Sequence, residues 1–115
     1  EMNGPEKKIA WELSNLPNIL WWHRNQARQG FFINGYGNKA YPDFIAMTRG
    51  GKTLLIESKG DHLNNPDSAR KVKLGRAWEK LAGPKYRYYM VFQDQALAAD
   101  GAYPLDRFLE IARGL

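Results

Sequence analysis

Two runs rich in apolar residues, 43–48 and 53–57, are separated only by Arg49-Gly50-Gly51-Lys52. A glycine pair between two such runs is a β-hairpin signal. A hairpin constrains everything around it, because the start of its first strand and the end of its second meet at the edge opposite the turn. Asp43 opens the first run and Glu57 closes the second, so two carboxylates are expected at one sheet edge. Side chains alternate along a strand, which turns Glu57 and Lys59 to one face and Ser58 to the other.

The rest of the chain reads as elements that cover such a sheet. A first helix is expected from Pro5, a favoured first helical position after the permissive Gly4. Ile9, Ala10, Leu13 and Leu16 recur along it at helical spacing, and Pro17 closes it. Residues 19–22 and 31–33 read as strands separated by the polar stretch 23–30, and 34–38 as a loop. A second helix should start at the Asn65 cap with Pro66 in its first turn, run to about Leu81 and stop at Gly83-Pro84. Residues 86–92 form another strand, and 105–112 a last amphipathic helix. The order α-β-β-β-β-α-β-α describes an α/β domain with a mixed sheet. At 115 residues the chain fits one domain, 1–115, with enough length for its own core.

Composition removes several functional classes. No cysteine is present, which excludes a thiol nucleophile, a zinc–thiolate site and a disulfide framework. With 4 Trp, 6 Tyr and 5 Phe the chain is too aromatic to be disordered. No apolar run approaches the ~18–20 residues of a membrane span and no signal-peptide core is visible, so a soluble, cytoplasmic domain with no membrane partner is expected. The opening Glu1-Met2 is expected of a domain cut from something longer, or of a leftover leading residue. A net charge of +5 favours an anionic partner such as nucleic acid.

Some apparent motifs dissolve on inspection. Residues 46–53 miss a phosphate-binding loop only at its leading glycine, but that loop must open a helix, and Leu54-Leu55-Ile56 continues as a strand. His23 and His62 have no His or Cys at metal-ligand spacing, and no Gly-x-Ser-x-Gly elbow occurs. Trp21-Trp22 and Tyr86, Tyr88 and Tyr89 could stack bases, but at strand spacing they are expected to pack in the core and across strands.

The hairpin edge carries the chemistry. Two carboxylates held close repel, and a hard divalent cation offsets that repulsion with oxygen ligands from Asp43, Glu57 and the backbone carbonyl of Ser58. Mg²⁺ retains water, which can serve as the nucleophile toward a phosphodiester. Lys59 is placed to orient that water and to neutralise charge on the phosphorane. The plain alternative is a pair of strand-end charges with Lys59 as their salt-bridge partner. In the second helix Arg70, Lys71, Lys73, Arg76 and Lys80 are opposed only by Glu79 between residues 69 and 81. Lys71 shares a stripe with Leu74, Trp78 and Leu81, which are expected to pack on the sheet. It should therefore sit near the acidic edge as a phosphate contact, or else snorkel past the core. Arg70, Lys73 and Arg76 are the neighbouring candidates for nucleic-acid binding.

Pro42-Asp43 with Glu57-Ser58-Lys59 resembles the PD-(D/E)XK nuclease motif. The fuller wording, Tyr41-Pro42-Asp43-Phe44-Ile45 with Ile56-Glu57-Ser58-Lys59-Gly60, is most similar to the C-terminal endonuclease domain of type III restriction-enzyme subunits. Trp22-His23-Arg24-Asn25 and Asp67 with Lys71 also resemble that group, and the likeness runs from about Glu6 to Phe92. The resemblance implies a restriction-endonuclease-like core, a mixed central β-sheet flanked by helices in the order α-β-β-β-α-β. It also implies a Mg²⁺-dependent DNA endonuclease of restriction–modification type, with Mn²⁺ able to substitute. Such domains follow an ATP-driven helicase motor, so a motor subunit or domain is an expected partner; a homodimer is also compatible. A third acid on the first helix is a further implication. Glu6 extends the Ile9–Ala10–Leu13 stripe, whereas Glu12 lies about 240° around the helix from it, so Glu6 is the expected metal-site residue. A helix-dipole role in the first turn is its alternative. Two other classes stay open: a nucleic-acid-binding module of this fold that does not cut, and a nuclease for RNA or branched DNA.

Overall fold

The computed structural model describes residues 2–25, 30, 33–34 and 39–115. Helix α1 (Gly4–Asn15) is started by a capping box: the Asn3 side chain accepts the Glu6 N–H at 2.9 Å and Glu6 Oε1 accepts the Asn3 N–H at 3.0 Å. Strand β1 (Ile19–Arg24) follows, two residues longer than its apolar run, taking in His23 and Arg24 from the polar stretch expected to separate two strands. Pairing with residues 44–48 extends it: an edge strand needs only one apolar face, so polar residues continue it. The expected strand over 31–33 falls largely outside the described residues. Ile33 belongs to β2 (Ile33–Asn34), which pairs with β3 (Lys39–Ala40) as a separate small ribbon, and 35–38 of the expected loop are not described.

The hairpin is β4 (Phe44–Thr48) and β5 (Thr53–Lys59), antiparallel with Phe44 opposite Ile56 and Met47 opposite Thr53. Its turn closes through Thr48 N–H to Lys52 C=O at 2.9 Å, and Gly51 adopts φ 87°, a conformation open to glycine without steric cost. A one-turn 3₁₀ segment, Asp61–Leu63, leads into α2 (Pro66–Ala82), capped by the Asn65 side chain on the Ser68 N–H. Strand β6 (Tyr86–Phe92) returns parallel to β5, and β7 (Ala102–Pro104) adds parallel to β6 before α3 (Leu105–Arg113). The result is a mixed α/β fold with a five-stranded sheet in the order β1-β4-β5-β6-β7.

The sheet separates two cores. On one face Phe44, Ala46, Leu54 and Ile56 pack with Ile9 and Leu13 of α1 and Phe108 and Ala112 of α3. On the other, Leu55, Tyr88 and Met90 pack with Val72 of α2, and Ile33 joins them. The buried stripe of α2 is Ser68, Val72 and Gly75, not Leu74, Trp78 and Leu81. Leu74 and Trp78 only flank the core, and Leu81 is 89% exposed. The helix lies rotated toward its small residues because Gly75 rides directly on Tyr88, where a Cβ would stand 2.3 Å from a ring carbon. Bulky Leu and Trp on that line would hold the helix off the sheet. Gly75→Ala is accordingly expected to destabilise the fold by about 1–3 kcal/mol, the range for overpacking a tight core. The opposite sign is expected from helix propensity alone, about 1 kcal/mol in favour of Ala. Urea unfolding of the variant distinguishes them.

Candidate active site

The chain brings Asp43 to its position with three backbone and side-chain ties. Its N–H donates to the Ile56 carbonyl at 2.9 Å, its carbonyl accepts the Asn25 N–H at 2.8 Å, and its Oδ2 accepts the Ser58 N–H at 2.7 Å. Asn25, buried at the end of β1, also donates from Nδ2 to the Pro42 carbonyl at 2.9 Å. Pro42 has no N–H to offer a ladder, which suits the point where β4 begins. Glu57 lies on β5 one step before Ser58 and is 8% exposed, and Lys59 Nζ stands 3.9 Å from Glu57 Oε2. A strand residue directs its N–H and C=O to the same side, so the Ser58 carbonyl faces the side where its N–H meets Asp43.

Glu6 joins this edge from α1. It is buried with Ile9, Ala10 and Leu13, and Arg24 of β1 reaches it through Nη2 at 3.3 Å. Its charge also acts on the Asp43 carboxyl. Glu12 is half-buried elsewhere on the helix. The dual use of Glu6, in the cap and beside Asp43, was legible in part: Asn3-x-x-Glu6 is a capping-box spacing that names the residue but not its second neighbour.

The electrostatics follow from packing acids at a dry edge. Burial pushes the Asp43 carboxyl up to about 6; the Ser58 N–H draws it down, and the Glu6 charge pushes it up again. Burial, then the neighbouring Asp43 charge, pushes Glu57 up to about 7 against the pull of Lys59 and Lys71. Tyr88 beneath them is raised by burial and by the same two carboxylates. Desolvation and like charges both disfavour ionisation, and at this edge they act on adjacent residues.

The basic helix divides. Lys71 is near enough for its charge to act on Glu57, while also pairing with Asp67 at 3.8 Å. Arg70 is exposed and bonded to Asp67 at 2.8 Å, and Lys73 is exposed. Arg76 lies apart: it pairs with Glu79 at 2.7 Å, stacks over Tyr89 at 5.4 Å and lines a surface cavity of about 390 Å³ with Lys80, Arg87 and Asp100. Arg24 and Asn25, which hold Glu6 and Asp43, stand out in the sequence only through the likeness of residues 22–25 to the type III group, which names no role for them. Their roles exist only once β1 pairs with β4.

Among the described residues no group of three or more His, Cys, Asp or Glu is arranged to hold a metal ion, and no helix is long and apolar enough to cross a membrane. In comparison with known proteins, no protein-family model, no curated protein and no solved structure matches this chain. The likeness to PD-(D/E)XK nucleases therefore rests on the motif residues themselves.

Proposed function

We propose that the chain is a metal-dependent nuclease that hydrolyses phosphodiester bonds of DNA by attack of an activated water, with Asp43, Glu57 and Lys59 as its central residues. The observation that carries this reading is the juxtaposition of the buried Glu57 carboxylate and the partly buried Asp43 carboxylate, both of raised pKa, with a lysine ammonium 3.9 Å from Glu57, all at one end of the hairpin. Further support comes from element order: α1-β1-β4-β5-α2-β6 follows the α-β-β-β-α-β core implied by the motif, with the β2–β3 ribbon as an insertion.

The donor set suits a hard divalent ion. Asp43, Glu57 and the Ser58 carbonyl offer only oxygen, and Mg²⁺ is commonly held by one or two carboxylates with water completing its shell, so a three-acid cage is not required. Such an ion supplies Lewis acidity toward the phosphate and a lowered pKa for water. The chain's own residues do the remaining work. Asp43 is fixed by Ser58 and Asn25, so its second oxygen has a defined direction. Lys59, 13% exposed, presents a desolvated ammonium to the water and to developing negative charge on phosphate. Glu6 holds charge beside Asp43 and is itself anchored by Arg24.

The test is incubation with linear, circular and single-stranded DNA and with RNA, in Mg²⁺, Mn²⁺ or EDTA. Cleavage is expected with either ion and none in EDTA. Asp43→Ala should abolish it with the fold intact by circular dichroism; full activity of that variant in Mg²⁺ overturns the assignment. Glu6→Gln should raise the Mg²⁺ requirement while Glu12→Gln behaves as the parent.

A further inference from the structure

The adjacent tryptophans of β1 are placed on opposite faces of the sheet. Trp22 turns toward α1, edge-on to Phe44 at 5.7 Å between centroids, with its Nε1–H on Ser14 Oγ at 3.0 Å. Trp21 turns the other way. It is 43% exposed and lies flat against His23, with centroids 5.6 Å apart and planes 9° from parallel. His23 is exposed as well. Neither Trp21 nor His23 is consumed by the core, contrary to the expectation for Trp21, whereas Trp22 packs against it as expected, and Trp21 and His23 form a stacked aromatic pair on an edge strand.

The pairing register fixes where that pair lies. Trp21 is opposite Met47 and His23 opposite Ile45, and these stand opposite Thr53 and Leu55 of β5. Directly paired residues share a face, so the rings stand on the face that carries Leu55, Glu57 and Lys59. Two residues further along, the next position on the same face, is Asn25, bonded to Asp43. The His23 ring is thus two residue pairs, one same-face step, from the carboxylate row, and β1 is about two strand spacings, ~10 Å, from β5. Helix α2 packs over β6, at the opposite side of the sheet, which leaves the β1 flank uncovered by it.

We infer that Trp21 and His23 form a stacking subsite for an unpaired nucleobase on the strand whose backbone lies at the Asp43–Glu57–Lys59 row. The inference deepens the proposed nuclease reading by naming its substrate class: nucleic acid with a single-stranded or frayed segment. A planar π surface suits any base and gives sequence-tolerant affinity. Duplex interiors keep their bases stacked on one another, so only unpaired bases can use it. The chain's net charge of +5 complements the backbone that such a base belongs to.

The test measures binding in EDTA by fluorescence anisotropy, using a labelled oligothymidylate and a labelled blunt duplex. Trp21→Ala should weaken the single strand about tenfold or more, by the usual worth of one base–aromatic stack, and the duplex by less than about twofold. Trp21→Phe should retain most single-strand affinity, whereas Trp21→Leu, apolar but without a π face, should lose it as Ala does. An abasic strand of equal length should bind wild type and Trp21→Ala alike. Equal losses on both probes, or none on the single strand, overturn the subsite. Wild type that binds neither probe overturns the subsite and the nucleic-acid reading together. A Trp21-dependent preference for single strands without cleavage overturns only the nuclease reading.

Discussion

Lys59→Ala is expected to lower the cleavage rate by about 10²–10⁴-fold, the usual worth of a positioned proton-transfer or charge-stabilising group, while DNA affinity changes by less than about threefold. The lysine is 13% exposed and 3.9 Å from Glu57, so it sits beside the carboxylates of the proposed site and not on the open basic surface formed by Arg70 and Lys73. A charge acting only in the transition state appears in kcat, and one that merely holds the backbone appears in KM. The substitution has a second signature. Lys59 is one of the groups drawing the Glu57 carboxyl down from the value that burial and Asp43 impose. Its loss should push Glu57 higher and move the acidic limb of the pH–rate profile to higher pH. Lys59→Arg is not expected to restore the rate, because a planar guanidinium is larger and does not reproduce the compact, rotatable donors of an ammonium. Rapid-quench single-turnover assays across pH check both effects. Equal losses in rate and affinity with an unmoved profile would make Lys59 a general phosphate contact.

What could be read before the structure depended on how local its cause was. The hairpin was legible because its turn chemistry, its alternating faces and its terminal acids all lie within residues 43–59. The Glu6 side of α1 was legible because a stripe shared with Ile9, Ala10 and Leu13 follows from helical spacing, and those four are the buried residues of the helix. The face of α2 was not. Apolar content points to Leu74, Trp78 and Leu81, but the close approach of Gly75 to Tyr88 sets the rotation, and small residues carry no hydrophobic signal. Strand β7 went unseen because three residues ending in Pro104 satisfy only a short parallel edge beside β6. Trp21 and Trp22 look alike in sequence; pairing with β4 sends Trp22 to Phe44 and Trp21 to the opposite face, against His23. The supports of the site from Arg24 and Asn25 are likewise properties of strand pairing between distant segments.

Stability of the metal-free protein is expected to fall as pH rises from about 4.5 to about 7, with Glu57 as the main cause. An acid whose pKa is raised by folding keeps its proton in the native state over a range where the unfolded chain has released it. The native state then binds more protons, and stability declines with pH across that range. For Glu57 the range runs from its ordinary 4.5 to about 7, and for Asp43 from 3.8 to about 6. Glu57 is well buried, so its share is on the order of 3 kcal/mol. The two acids feel each other's charge, so they titrate as a pair and their shares do not simply add. For a domain of this size that corresponds to a melting temperature lower by on the order of 10 °C at pH 7.5 than at pH 5, from this edge alone. Other groups also titrate, so the informative quantity is the difference between wild type and Glu57→Gln. The variant should match the parent at pH 4.5 and exceed it increasingly toward pH 7.5, since a neutral amide carries no cost of ionisation there. Mg²⁺ should raise the wild-type melting temperature at pH 7.5, where binding to the ionised pair favours the native state. It should do little at pH 4.5, where both acids hold protons, and little for Glu57→Gln at any pH. Differential scanning calorimetry in EDTA and in Mg²⁺ measures all four cases. A difference profile that stays flat from pH 4.5 to 7.5 would show that Glu57 is not held in a charge-disfavouring site, and the electrostatic basis of the proposed metal site would fail with it.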